Sequence, residues 1–214
     1  MEQNYINIIV VSVCSYIVGC IPSALLVVKK RTGLDLSKAG SGNLGALNSY
    51  EVTKSKSTGI LVLLFDVIKG FVPVVLTYLI FRTNQLTTLS GVAVIFGHNF
   101  NAFLKFKGGR GLATATGTSF AINPLILILW GLCWLGGYKL IMKQVHIANA
   151  VATVFCPLLI YYTPELLTKK LNSFSDFGKS ELIVYSVLIC VIILLRHIKP
   201  LLEIWTEHKN KQKS

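Results

Sequence analysis

The chain has 214 residues, of which 53% are hydrophobic and only 14% charged, with a mean hydropathy of +0.63 and a formal net charge of +12. A charge fraction so far below the roughly 25% of soluble domains excludes an ordinary soluble fold and predicts one all-α, polytopic membrane domain over residues 1–214. The basic excess sits in loops between apolar runs, where it sets orientation in a membrane, so no nucleic-acid partner is expected.

In chain order, apolar runs at 5–28, 58–81, 86–104, 112–122, 125–142, 147–163 and 181–198 are long enough, or nearly so, to cross a hydrocarbon core of roughly 30 Å. They predict about seven transmembrane helices. The first run has no basic segment before it and no small-residue cleavage site, and reads as a span rather than a removable signal peptide. The fourth is too short to cross alone without thinning, tilt or burial in protein, which leaves a half-span or a re-entrant helix as alternatives. Sixteen of the 21 Lys and Arg residues fall in alternate loops on one side and four on the other, with Lys69 inside a span. The positive-inside rule then places the N-terminus outside and the C-terminus in the cytoplasm. The five cysteines lie in apolar runs without CxxC spacing, so neither a disulfide framework nor a metal site is expected.

The first informative loop is KAGSGNLGALNSYEV, Lys38 to Val52. Gly40, Gly42 and Gly45 permit tight turns, while Ser41, Asn43 and Asn48 offer hydroxyl and amide groups to a ligand; the same composition also suits a plain connection. Asp66 and Lys69 follow, three residues apart in an apolar span. Ionisable groups at membrane depth need a partner or a polar cavity, and this spacing lets the two meet on one helix face. They read as an internal ion pair, as ligand contacts, or as both.

The third stretch runs from Gly97 to Gly117, GHNFNAFLKFKGGRGLATATG, and is the most concentrated. Lys105, Lys107 and Arg110 are interleaved with Gly108, Gly109 and Gly111. Glycines let the backbone approach an anion closely, a helix starting near Leu112 would aim its first free N–H groups into the loop, and Arg110 can grip two phosphate oxygens at once. Cations alone would serve as a topology signal, but such a signal has no need of three glycines. His98 ends the third span on the same side and is suited to orient a ligand or act as general base. Near the C-terminus, Arg196, His197 and Lys199, followed by Glu203 and Glu207, either close this pocket or form a solvated end.

Together these residues resemble the integral membrane acyl-phosphate:glycerol-3-phosphate acyltransferases of bacterial phospholipid synthesis, over almost the whole chain and in order. GSGNLGALN (Gly40 to Asn48) is similar to the family's GSGNxGATN and DVIKG (Asp66 to Gly70) to its DxxKG; GH at Gly97 and His98, FKGGRG from Phe106 to Gly111 with Ala113 and Thr114, and RH at Arg196 and His197 complete the match. The resemblance implies acyl transfer from acyl phosphate to the 1-hydroxyl of glycerol 3-phosphate, giving lysophosphatidic acid, at the cytoplasmic side of the bacterial cell membrane. It implies no cofactor or metal, and membrane lipid as the surroundings. It assigns Ser41, Asn43 and His98 to the catalytic centre. Substrate and phosphate binding go to Gly40, Gly42, Asn48, Asp66, Lys69, Lys107, Gly108, Gly109, Arg110, Thr114 and His197.

The chain also departs from the family pattern. Leu47 and Glu51 stand where threonine and arginine are usual, Asn101 replaces a proline, and Pro200 takes an asparagine position. HIANAVA, from His146 to Ala152, lies where a serine-rich motif is expected. A changed acceptor, or a non-catalytic protein of the same fold that binds or moves a phosphorylated ligand, is the alternative. Transporters often show two repeated halves, and neither GSGN nor KGGRG recurs.

Overall fold

The computed structural model describes residues 2–174 and 176–211, and among these every regular element is helical. The helices are α1 (Glu2–Gly19), α2 (Ser23–Thr32), α3 (Ala46–Thr53), α4 (Lys56–Phe81), α5 (Asn84–Asn99), α6 (Leu112–Ile122), α7 (Leu125–Gly136), α8 (Val145–Tyr162), α9 (Glu165–Lys170) and α10 (Lys179–Lys211). Four helical stretches, Gln3–Thr32, Lys56–Phe81, Val145–Tyr162 and Lys179–Asn210, are long and apolar enough to cross a membrane; Leu112–Ile122 and Leu125–Ile141 are shorter.

Three expected boundaries move for local reasons. The run 5–28 is broken at Cys20–Pro22, because proline lacks the N–H that would continue the ladder, and α2 restarts at Ser23. The run 86–104 stops as an α-helix at Asn99, since the Asn101 side chain caps a separate 3-10 turn, Ala102–Leu104, by accepting from Phe103 N at 3.0 Å. At the other end of the chain, α10 continues through Pro200 and runs well past residue 198.

The helices that carry the site cross at backbone contact. A Cβ built on Gly19 of α1 would strike the Val94 carbonyl of α5, and one on Gly97 of α5 would strike the Tyr16 carbonyl of α1. Gly70 of α4 and Gly117 of α6 meet in the same reciprocal way, against the Thr114 and Val67 carbonyls. Small residues at such crossings let dispersion forces act over a large area where lipid removes the hydrophobic driving force. Buried hydroxyls add to the grip: Ser15 of α1 and Ser90 of α5 lie 2.8 Å apart, and the Tyr185 hydroxyl of α10 donates to Thr118 Oγ1 of α6 at 2.6 Å.

One apolar cluster, with Val74, Ile95, Ile122, Phe177 and Tyr185 among its buried members, fills the middle of this bundle. A second, smaller cluster of Ala24, Val28, Leu36, Leu44 and Val62 seats the first glycine loop on α2 and α4. Hydrogen bonds group the remaining connections. At one end Asn84, Asn123, Thr168, Asn172 and Asp176 are tied together; at the other, the two glycine loops meet the start of α8 and the Arg196 turn of α10.

Candidate active site

The ion pair read from the sequence is buried in the structure. Lys69 Nζ lies 2.8 Å from Asp66 Oδ1, with the two side chains 7% and 1% exposed. Lys69 also donates to the Ile21 carbonyl at 2.9 Å and reaches Ser23 Oγ at 3.5 Å, so the break between α1 and α2 supplies its remaining acceptors. Ser23 Oγ donates to Asp66 Oδ1 as well. His98 turns its Nδ1 toward the same carboxylate oxygen at 3.6 Å, and its Nε2 edge faces Gly109 so closely that a Cβ there would overlap the ring. The imidazole thus stands between a carboxylate on one side and the glycine loop on the other, and at 3.6 Å the carboxylate is a neighbour rather than a hydrogen-bond partner.

The first glycine loop is braced from within. Asn48 Oδ1 accepts from Ser41 N at 3.0 Å, while its amide group donates to the carbonyls of Ala39 at 3.1 Å and Asn43 at 2.9 Å. With both its amide oxygen and its amide nitrogen engaged, Asn48 shapes the loop. Gly40 and Gly42 take positive φ, 58° and 67°, in the turns that Asn48 holds.

The second loop is braced from outside. Arg196 Nη2 donates to the Gly108 carbonyl at 2.8 Å and Nε to the Gly109 carbonyl at 3.1 Å, a two-pronged grip from α10. Gly109 N donates to the His98 carbonyl at 3.1 Å. Gly111, at φ 83°, is the N-cap of α6, which begins at Leu112 as the sequence led us to expect, with no side chain capping it. Asn101 ties the approach to the loop down, donating to the Cys20 carbonyl at 2.6 Å.

Between the loops lies a groove of ≈ 350 Å³. Gly45, Ala46 and Leu47 at the uncapped start of α3, and Gly111, Leu112 and Ala113 at the uncapped start of α6, line its two sides. Asn43, Asp66, His98 and Arg110 also reach it. Free N–H groups at two helix starts, with a guanidinium beside them, are donors of the kind that suit an anion. Burial pulls the Arg110 pKa below its ordinary value, opposed by Glu203 and Glu51, and the guanidinium stays charged. His98 also borders a crevice of ≈ 10 Å³ formed with Lys69, Leu44, Gly108 and Gly109, so the imidazole stands between the two spaces.

Not every candidate comes to this groove. Ser41 is exposed and lines neither space; Lys105 and Lys107 are exposed, with Lys107 on a separate surface recess beside Leu104. Thr114 is buried in the α4–α6 crossing and His197 is buried behind the groove, where its Nδ1 meets the Ile193 carbonyl at 2.9 Å. Residues that pattern reading did not single out take their place. His146 lies 3.3 Å from Arg110 Nη1, and Trp134 Nε1 donates to Asn149 Oδ1 at 2.9 Å, all three lining the groove with Trp130. The unusual HIANAVA segment could have pointed to His146 and Asn149, but not to Trp134. Ser23 carried no signal beyond its closeness to Pro22.

Comparison with known proteins follows the same lines. A family model described as glycerol-3-phosphate acyltransferase matches residues 9–207. The glycerol-3-phosphate acyltransferase of Trichlorobacter lovleyi is 32% identical over 183 residues, 86% of each chain, and that of Fusobacterium nucleatum 32% identical over 202 residues, 94% of this chain and 96% of that one. Among solved structures, PlsY (YgiH), an integral membrane glycerol 3-phosphate acyltransferase, is similar in its glycerol 3-phosphate form at a TM-score of 0.76 and 28% identity, covering 94% of this chain and 92% of that one. Its lysophosphatidic acid form gives a TM-score of 0.75.

Proposed function

This multi-pass membrane protein belongs to the glycerol-3-phosphate acyltransferase family, and from that premise we propose that it transfers a fatty acyl group from acyl phosphate to the 1-hydroxyl of glycerol 3-phosphate, forming lysophosphatidic acid. The observation that carries the reading is the single groove on which two uncapped helix starts, Arg110 and the Asp66–His98 pair converge. Both substrates are phosphorylated, and both need their phosphates held while a hydroxyl meets an acyl carbon.

In the proposed step the acceptor hydroxyl oxygen bonds to the acyl carbon and the carbon–oxygen bond to phosphate breaks, the phosphate leaving with the electron pair. The donor is already activated, so alignment and stabilisation of the oxyanion are what remain for the protein to supply. His98, with Asp66 3.6 Å from its Nδ1, is the group that takes the hydroxyl proton. Arg110 and the α6 N-terminus hold phosphate oxygens, while Gly108 and Gly109 let the loop backbone pack closely against His98 and Asn99. Asn43 contributes its amide from the groove wall, and Asn48, Lys69 and His197 position these groups from behind. Ser41 enters through the family resemblance alone, as a hydroxyl aligning substrate when loop 38–45 settles on it.

Purified protein with labelled acyl phosphate and glycerol 3-phosphate tests the reading. Labelled lysophosphatidic acid is expected from the wild type, and its absence under conditions of substrate binding would leave a binding protein instead. Arg110→Ala should raise KM for a phosphorylated substrate by roughly 10- to 100-fold, the worth of a charge-assisted contact, with Lys105→Ala near wild type. His98→Ala should lower kcat with KM little changed; an unchanged kcat would move the proton to the leaving phosphate. The proposal includes seven spans, an outside N-terminus and a cytoplasmic site in the bacterial cell membrane. A cysteine at Gly33 should then label only from the cytoplasm and one at Asn172 only from outside.

A further inference from the structure

Along α4, Leu61, Phe65, Ile68 and Val72 form a stripe on the face opposite Leu63 and Asp66, and this stripe lines a second groove of ≈ 580 Å³ closed on its other side by α1 and α2. Its size is that of a ligand site rather than a packing gap. The walls open outward: Leu26, Phe65 and Ile68 are 57%, 48% and 53% exposed. Its two ends differ in kind. At the inner end Lys69 has its Nζ committed to Asp66, the Ile21 carbonyl and Ser23, so no donor is left for an anion. At the outer end stand Lys30 and Arg31. Arg31 is held by neutral hydroxyls alone, Ser57 Oγ at 3.0 Å and Thr58 Oγ1 at 3.1 Å, and no carboxylate pairs with either cation among the described residues.

An apolar trough open to the bilayer, with uncompensated cations at one end only, fits an amphiphile with one negative end. From Thr58 to Val72 α4 rises about 21 Å, enough to lay an extended hydrocarbon chain along it. We infer that this groove binds one acyl chain of an anionic membrane phospholipid, its headgroup phosphate at Lys30 and Arg31, on the side of α4 away from the acyl-transfer groove. Cations flanking interhelical grooves select anionic headgroups in this way.

Native mass spectrometry of the purified protein, with phosphatidylglycerol and phosphatidylcholine of identical chains added in equal amounts, tests the site. Phosphatidylglycerol should be retained preferentially by the wild type, and Lys30→Gln with Arg31→Gln should weaken that retention roughly 30-fold, the loss of two cations at about 1 kcal/mol each. Leu26→Trp, which fills the trough and leaves both cations in place, should lower retention as well and serves if the double variant does not insert. Equal retention of the two lipids by the wild type, an unchanged preference in either variant, or displacement of the lipid by inorganic phosphate alone would overturn the inference.

Discussion

The two glycine loops that face each other across the groove reach their shapes by opposite routes. The loop at 38–45 is held by Asn48, a residue a single turn into the next helix, which satisfies Ser41, Ala39 and Asn43 from a few residues away. The loop at 105–111 depends on groups brought from other parts of the chain: Arg196, 87 residues on, and the backbone around His98. A locally braced loop survives changes elsewhere in the bundle. A remotely braced one reports on them, because moving α10 moves the Gly108 and Gly109 carbonyls.

If this contrast holds, the largest effect belongs to Gly109→Ala. A methyl there overlaps the His98 imidazole, and a displacement on the order of 1 Å at the reacting centre costs about 100-fold or more, so kcat/KM should fall by at least that factor while the protein still inserts. Arg196→Gln comes next. It removes the charge from two carbonyl contacts worth about 1.5–3 kcal/mol, and kcat/KM should fall about 10- to 100-fold, with protease sensitivity appearing at 105–111 and not at 38–45. An equal rise in sensitivity at both loops would end the distinction drawn between them.

Asn48→Ala should have the reverse signature and a milder cost, about tenfold in kcat/KM, with loosening confined to the first loop, as measured by hydrogen exchange of the Ser41 amide. The smallest change is expected from Glu51→Arg. Glu51 acts on Arg110 from an exposed position on α3, and surface charges are worth about 0.2–1 kcal/mol, so reversing it should lower KM for glycerol 3-phosphate by roughly two- to fivefold. A rise in KM instead would mean that the anion at position 51 contributes to acceptor binding.

The same contrast explains how much could be read beforehand. The start of α6 at Leu112, the Asp66–Lys69 pair and the placing of His98 against the glycines all follow from short-range rules: a glycine before a helical run, an i, i+3 spacing, a polar end to an apolar span. Seven apolar runs were visible for the same reason, and each has a helix at its centre. The break at Pro22 was missed because hydropathy alone continues straight through it, and α3 was missed because its eight residues carry little periodicity. The Arg110–His146 approach and the Arg196 grip join residues 36 and more than 80 positions apart; nothing local to Arg196 says which carbonyls it will meet. Ser41 shows the limit from the other direction. A motif placed it at the centre of the reaction, while the structure shows an exposed residue whose backbone N–H binds Asn48.

The reciprocal glycine crossings of α1 with α5 and α4 with α6 bear on how such a protein can diversify. Where two backbones touch there are no intervening side chains to exchange, so the usual route of trading one large residue for another beneath a site is closed. Gly19, Gly97, Gly70 and Gly117 should tolerate almost nothing in a saturation library. Variation is then channelled to the groove's margin, to Leu47, Glu51, His146 and Asn149, where a substitution changes what is recognised without moving the helices that carry Asp66 and His98. The departures from the family pattern at Leu47 and Glu51 and in the segment from His146 fall on that margin.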